Sequence, residues 1–488
     1  MKKIQSLVGK FFIFFRWYLV LLALAAHIAV AGILIMVLFL GPGTSIEYAK
    51  QAVHKLKSLA QSQMTRSEEL LQAKIEKLPQ LPKNDSYSFR ALPDARSDNL
   101  GYGRLLQVGP GAEFERPSLA AKAARNGDVI EITGGDYPGD VAVWTKNDLL
   151  IRSINGVTRL DAKGSQLAQR KAIWVISGNN VRIENIEFAN ARSRDKNGAG
   201  IRAQGNNLHI VSCYFHDNES GVMTDNNTSS QILIENSEFA RNGYKSGYAH
   251  QIYAGSIKKF ILKGSYIHGT NIGSAVKSRA QKSVITYNRI VDEGRGRSNY
   301  TIDISNGGEA YIIGNILQQS PFTGNYTLIP YAPEGIRWDI NKLFILHNTI
   351  VNDRKDGNFI FNHSQVNAQV INNLLIGAGS PIKGPGTMIG NIVDHGKNLF
   401  GSFDDTLGGL NNSRENRFTK TIAVVDRRTY NYHLSAESPA IDAAVDLPPD
   451  MEQIFKPLKA YRHPLRTNTR QVHNSPDVGA HEYVPKSL

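Results

Sequence analysis

Between residues 183 and 393 the chain repeats one short phrase of apolar and polar positions nine times. The copies read IENIEF (183–188), IVSCYF (210–215), IENSEF (234–239), LKGSYI (262–267), ITYNRI (285–290), IIGNIL (312–317), ILHNTI (345–350), VINNLL (370–375) and MIGNIV (388–393). Each falls on a short β-prone run, with an apolar residue in its first and last places. The first residues are spaced by 27, 24, 28, 23, 27, 33, 25 and 18, which is the rhythm of a solenoid.

The fourth place holds Ile186, Cys213, Ser237, Ser265, Asn288, Asn315, Asn348, Asn373 and Asn391. An Asn repeated at one coil position forms a ladder, its amide bonding the backbone of a turn and the equivalent groups of neighbouring coils. The pattern predicts an all-β fold, a right-handed parallel β-helix solenoid whose coils stack at the interstrand spacing around one continuous core. A leucine-rich repeat is the nearest competitor, but its Leu spacing and shorter period are missing. Cys213, at an inward ladder position, reads as a small packed side chain.

A second series of strands accompanies the phrase: GIRAQ (200–204), GVMTD (221–225), QIYAG (251–255), AVKSR (275–279), TIDIS (301–305) and LIPYA (328–332). Alternation places Ile201, Val222, Ile252, Val276 and Ile302 inward. The outward file is then Arg202, Met223, Gln251 and Tyr253, Lys277 and Arg279, and Thr301 and Asp303. Stacked coils make these residues neighbours, with His250 just before one strand and Glu334 and Arg337 just after another. For a uronic-acid polymer such a cluster has a definite chemistry. A cation neutralises the C6 carboxylate so that the C5 proton becomes acidic, and a base removes it. Lys277 is the candidate base, its pKa lowered by the charge of Arg279. Arg279 is the candidate carboxylate holder, Tyr253 and His250 the candidate proton donors, and Arg202, Asp303, Glu334 and Arg337 candidate substrate contacts. No cofactor is demanded. Asp225, Asn226, Asp303 and Glu334 offer hard oxygen donors of the type calcium takes, without a closely spaced acidic motif. Zinc-type Cys/His spacings are absent.

Ahead of the solenoid, residues 17–41 contain no Asp, Glu, Lys or Arg and exceed the ~20 residues needed to cross a bilayer. They predict an uncleaved transmembrane anchor, the alternative being a signal peptide cleaved near AHIA, whose usual apolar core of about 7–15 residues this run exceeds. Lys2, Lys3, Lys10 and Arg16 precede it, which puts residues 1–16 in the cytoplasm and the rest outside the inner membrane of a bacterial cell, in the periplasm or beyond. Thr44 and Glu47 open a helical stalk over 44–78 with a capping box, and Ile46, Ala49, Val53, Leu56 and Ala60 follow a coiled-coil spacing that supports either a homo-oligomer or a monomeric spacer. Residues 79–100 form a polar linker, and 101–484 the solenoid domain.

The net charge of the 488-residue chain is +13, of which the first 95 residues carry 12 positive and 6 negative charges. The moderate excess that remains suits an acidic polymer. Placement across the membrane from the cytoplasm argues against a nucleic-acid partner. One cysteine excludes an intrachain disulfide.

VGPGAEFERPSLAAKAARNGDVIEITGGDYPG resembles the entry coils of pectate-lyase-like proteins, with a capping helix around SLAAKAARNGD and VIEIT as first strand; SPAIDA (438–443) and DVGAHEY (477–483) resemble their closing coil. AVKSR followed by YN at 287–288 is similar to the strand of chondroitinase B and alginate lyases that carries a catalytic Lys-Ser. That resemblance implies Lys277 as Brønsted base, although the next coil offers Asp303 where that family has an Arg. It implies a lyase or C5-epimerase acting on an acidic polysaccharide. The alternative is a non-catalytic polysaccharide-binding or scaffold protein of an export assembly.

Overall fold

A computed structural model describes residues 103–244, 248–394, 414–419, 424–447, 451 and 459–485. All belong to the second of the two units into which the chain divides, 89–488. The predicted anchor, stalk and linker lie outside the described residues, among which no helix is long and apolar enough to cross a membrane.

Each coil of the solenoid contributes three strands. In one, Gln231–Glu235 lies on a first face, Glu238–Ala240 on a second and Ile252–Ala254 on a third. The next coil supplies Lys259–Lys263, Tyr266–His268 and Val276–Ser278, paired parallel and in register with them. The third face is a ten-stranded sheet running from Ala142–Trp144 to Ser380–Lys383. The first two faces are continuous through the long strand Leu150–Asp161.

The repeated phrase does not lie on one strand. It straddles the corner between first and second faces, because its third place is always in the left-handed backbone region: Asn185, Ser212, Asn236, Gly264, Tyr287, Gly314, His347, Asn372 and Gly390. One such residue turns the chain sharply, and Asn and Gly tolerate the conformation best. The fourth place then points inward at the bend. The Asn348 Oδ1 accepts from the backbone N–H and the Nδ2 of Asn315 at 2.9 and 3.0 Å, while its own Nδ2 donates to the Ile312 carbonyl and to Asn373 Oδ1. The same linkage runs from Cys213 through Ser237, Ser265 and the five Asn rungs. It ends on a further rung, Asn416, preceded by the left-handed Glu415. Cys213 is buried at its start, with its thiol pushed up to about 12 by burial.

The phrase's first and last places fill the interior. Phe188, Phe215 and Phe239 stack with centroids 4.9 and 4.8 Å apart, the coil spacing itself. At the N-terminal end the helix Pro117–Ala123 buries Pro117, Ala120 and Ala121. VIEIT is not the first strand, however. Leu105–Val108 precedes the helix and pairs with Val129–Ile132, so the helix is part of a crossover.

The C-terminal segments also differ from the expected closing coil. They fold back along the second face, where Val478 N–H donates to Ala440 and Gly479 N–H to Asn372. Their Tyr432, Leu434, Tyr461, Val478 and Ala480 cover the outward Val291, Ile316, Val351 and Leu374. Ile316 and Leu374 stand in the register that carries Glu187, Tyr214 and Glu238 on earlier coils, and Val291 and Val351 in that of His216 and His268. An apolar outer strip needs a cover, and the returning chain supplies it.

Replacing a central rung leaves several buried partners unsatisfied at once. Asn348→Ala is expected to destabilise the chain by roughly 2–4 kcal/mol, and Asn416→Ala, at the ladder's end, by clearly less. Urea denaturation of the two variants beside wild type measures both.

Candidate active site

The third face gathers the chemistry. Its outward residues align across coils: Arg202 opposite Met223, Met223 opposite Tyr253, Tyr253 opposite Lys277 and Lys277 opposite Asp303. Beneath them Ile201, Val222, Ile252, Val276 and Ile302 are buried in the core, as alternation requires. Two residues assigned to the outward file are not there. Gln251 and Thr301 are fully buried at the edge of the sheet, and Gln251 joins Asn218 and Asn242 in a second polar ladder.

Lys277, Arg279, Tyr253, His250, Asp303 and Glu334 come together. Lys277 Nζ donates to Asp303 Oδ2 at 3.0 Å and to Glu334 Oε1 at 2.7 Å. An Arg279 terminal nitrogen meets the other Glu334 oxygen at 2.6 Å, while its Nε donates to the Tyr253 hydroxyl at 3.0 Å. Glu334 thus bridges both cations with one carboxylate, its side chain 44% exposed. It arrives on the segment 332–341, which closes back over earlier coils. Asn306 donates to the Glu334 and Gly335 carbonyls and accepts from Arg279, and the Trp338 indole donates to the Arg279 carbonyl at 3.1 Å.

The charge balance reverses the expectation for Lys277. Burial works against its ammonium, but the Asp303 and Glu334 carboxylates outweigh burial and hold its pKa above the ordinary value. The expected lowering by Arg279 does not prevail, because the Glu334 carboxylate stands between the two cations. Glu334 in turn lies below the usual carboxylate range, its burial outweighed by Lys277 and Arg279.

His250 is not an acid in its charged form. Burial, then the charges of Lys277 and Arg279, push its imidazole down to about 3. Its Nδ1 accepts the Ser274 N–H at 3.0 Å and its ring stacks on Tyr253 at 5.6 Å, so it positions the phenol. Asp303 is likewise no substrate contact. Its side chain is 2% exposed, with Ser274, Ser305 and Lys277 donating to it from above and beside. Arg202 lies three coil steps from Lys277 and pairs with Asp225. Arg337 is exposed beside Trp338 and outside the cluster. The oxygen donors considered for calcium are dispersed: Asp225 is held by Arg202, Asn226 Oδ1 accepts from Ser256 N–H, and Asp303 and Glu334 are held by Lys277.

Tyr300, which the outward file does not include, lies within electrostatic reach of the cluster. Burial and the nearby Asp303 charge raise its phenol, with Lys277 and Glu334 also in electrostatic reach. The signal was present: His250, Ser274 and Tyr300 each stand two residues before Ile252, Val276 and Ile302, which share one register.

Residues 151–317 match the family described as "Right handed beta helix region". Among solved structures, the pectate lyase Pel9A is similar at 15% identity and a TM-score of 0.50, over 79% of this chain and 98% of that one. An alginate lyase from Paenibacillus sp. str. FPU-7 is similar at 16% identity, over 55% of this chain and 94% of that chain, with a TM-score of 0.40. For the pectin methylesterase PemA from Erwinia chrysanthemi the values are 11% identity, 66% and 94% coverage, and 0.34. No curated protein sequence matches the chain. At such identities the likeness speaks of the fold and leaves the activity to the residues of the site. By its stacked coils and this matched region, the chain is a right-handed parallel β-helix protein, similar in fold to the pectate lyase Pel9A.

Proposed function

We propose that the third face binds an acidic, uronic-acid polysaccharide and acts on it by abstraction of the C5 proton, as a lyase or a C5-epimerase. One observation carries this reading: Lys277 and Arg279 converge on the two oxygens of a single, half-exposed carboxylate. A pair of cations arranged around Glu334 is equally arranged around the C6 carboxylate that displaces it. Neutralising that carboxylate makes the C5 proton acidic.

The roles then divide differently from the first expectation. Lys277 must lose its proton to act as base, which Asp303 opposes, so Lys277 and Arg279 form the carboxylate clamp. Tyr253, whose hydroxyl accepts from Arg279, is the proton-transfer group, oriented by His250. In elimination the Tyr253 oxygen, as phenolate beside Arg279, takes the C5 proton, the C5–H electron pair forms the C4=C5 double bond, the C4–O bond breaks, and Tyr253 returns the proton to the leaving oxygen. In epimerisation a proton returns to C5 from the opposite face. Anchoring in the membrane through residues 17–41, with this domain outside the cytoplasm, belongs to the same proposal. The competing reading, a binding or scaffold protein, draws on the fact that both cations are already neutralised in the free protein.

Incubation with a panel of uronic-acid polysaccharides discriminates these readings. New ultraviolet absorbance at unsaturated chain ends identifies a lyase, and C5 inversion by proton NMR without unsaturation an epimerase. Saturable binding with neither signal sinks the catalytic proposal in favour of the binding protein. With a substrate identified, Tyr253→Phe is expected to lower kcat about 100-fold or more with little change in KM, and Arg279→Ala chiefly to raise KM. Equal behaviour of the two variants contradicts the division of roles.

The protonation of Lys277 is separately testable. A lysine whose pKa is raised above 10.5 contributes stability that is present below the unfolded value and lost as pH rises through the folded one. Acetylation at pH 9, read residue by residue by mass spectrometry, is expected to be slower at Lys277 than at exposed lysines. Glu334→Gln should accelerate it, because removing one carboxylate lowers the pKa.

A further inference from the structure

The outward file of the third face continues beyond the clamp. Ile304 lies opposite Tyr331, which sets Pro330 beside Asp303; Pro330 lies opposite Phe361, and Phe361 opposite Lys383. Lys383 therefore stands four coil steps from Lys277, roughly 19 Å along the solenoid at about 4.8 Å per step. A group of distinct chemistry stands there. The Phe361 and His363 rings stack with centroids 3.6 Å apart, and Lys383 Nζ lies 4.5 Å from the Phe361 centroid. His363 and Lys383 are exposed and Phe361 is half-buried. Burial and the Lys383 charge hold the His363 imidazole below its ordinary value, which leaves the ammonium as the charge of the group.

Unlike Lys277, whose charge is met by two carboxylates, Lys383 faces an aromatic ring among the described residues. On the opposite flank, Arg202 is already paired with Asp225. The two flanks of the clamp are therefore unequal, and the C-terminal one presents a stacked Phe361–His363 ring pair beside a cation that no carboxylate meets among the described residues.

We propose that Phe361, His363 and Lys383 form a distal subsite for a uronate residue of the same polymer, about four sugar rings from the one held by Lys277 and Arg279. A pyranose offers an apolar C–H face to an aromatic ring and its C6 carboxylate to an ammonium, which is the pairing this group presents. A linear chain with one sugar per coil step then lies along the solenoid axis. This inference rests on the reading of the third face as a uronate-binding surface.

Calorimetric titration of the full-length, detergent-solubilised protein with galacturonate and mannuronate trimers and hexamers tests it. A hexamer reaches both subsites and a trimer does not. Lys383→Gln and Phe361→Ala are each expected to weaken the hexamer about fivefold or more while leaving the trimer within about twofold. Lys383→Arg is expected to retain most hexamer affinity, as a charge-specific contact requires. Hexamer affinity unchanged in both variants, or an equal loss for trimer and hexamer, overturns the distal subsite and leaves the clamp standing. Wild type binding no oligomer of either kind overturns the subsite together with the proposed function. Arg279→Ala distinguishes the two sites, because it should weaken both lengths.

Discussion

Everything on the third face depends on coils that stack parallel and without slippage. A parallel strand pair has evenly spaced, slanted hydrogen bonds and no inherent memory of register. In this chain register is imposed at the corner between first and second faces, where a left-handed residue is followed by an inward amide or hydroxyl bonded to its equivalents above and below. A slip of one residue removes the side chain from its rung and turns the whole strand inside out. The ladder therefore fixes, coil by coil, which residues of a distant strand stand opposite each other. That precision allows Tyr253, Lys277 and Asp303, on three separate coils, to form one group.

The site shows how the fold tunes charge with few residues. Asp303 is buried and receives hydrogen bonds from Ser274, Ser305 and Lys277, so its carboxylate is a fixed anchor beneath the surface. A fixed anion under a lysine favours the ammonium and holds it in place. Glu334 then closes the cluster from a segment belonging to a later coil. On the proposed function its exposure makes it the replaceable member: an incoming carboxylate would exchange one ion pair for another of the same kind, without leaving either cation unmet in a partly buried place. Such an exchange favours ligands that bring their own carboxylate over neutral sugars.

The second face illustrates the opposite solution. Its outward positions change from charged to apolar along the solenoid, and the chain returns to cover the apolar half with Tyr432, Leu434, Tyr461 and Val478. The third face carries the Lys277–Glu334 cluster uncovered, while the second is sealed for stability. Fold and activity are separable in this architecture, since the ladder and core would be served equally well by other outward residues.

Sequence alone determined the solenoid, because the repeated apolar–apolar frame and the Asn at its fourth place are one-dimensional signals of a one-dimensional stack. It also placed Lys277, Arg279 and Tyr253 on one face, since alternation along a strand is local, with His250 just ahead of one of its strands. It did not reveal the corner, although the Asn, Gly and Ser at the third place announce a left-handed residue, because a six-residue β-prone run has the same pattern whether or not it bends in the middle. The last rung, at Asn416 in a tenth copy of the phrase, escaped for lack of an apolar first place in its repeat. The tertiary structure alone decided the electrostatics. That Lys277 is held by two carboxylates, that His250 is buried and neutral, and that Asp303 lies beneath the surface all depend on through-space distances between coils. These distances follow from loop lengths and the fold-back of residues 332–341, and neither is written in the periodicity of the strands.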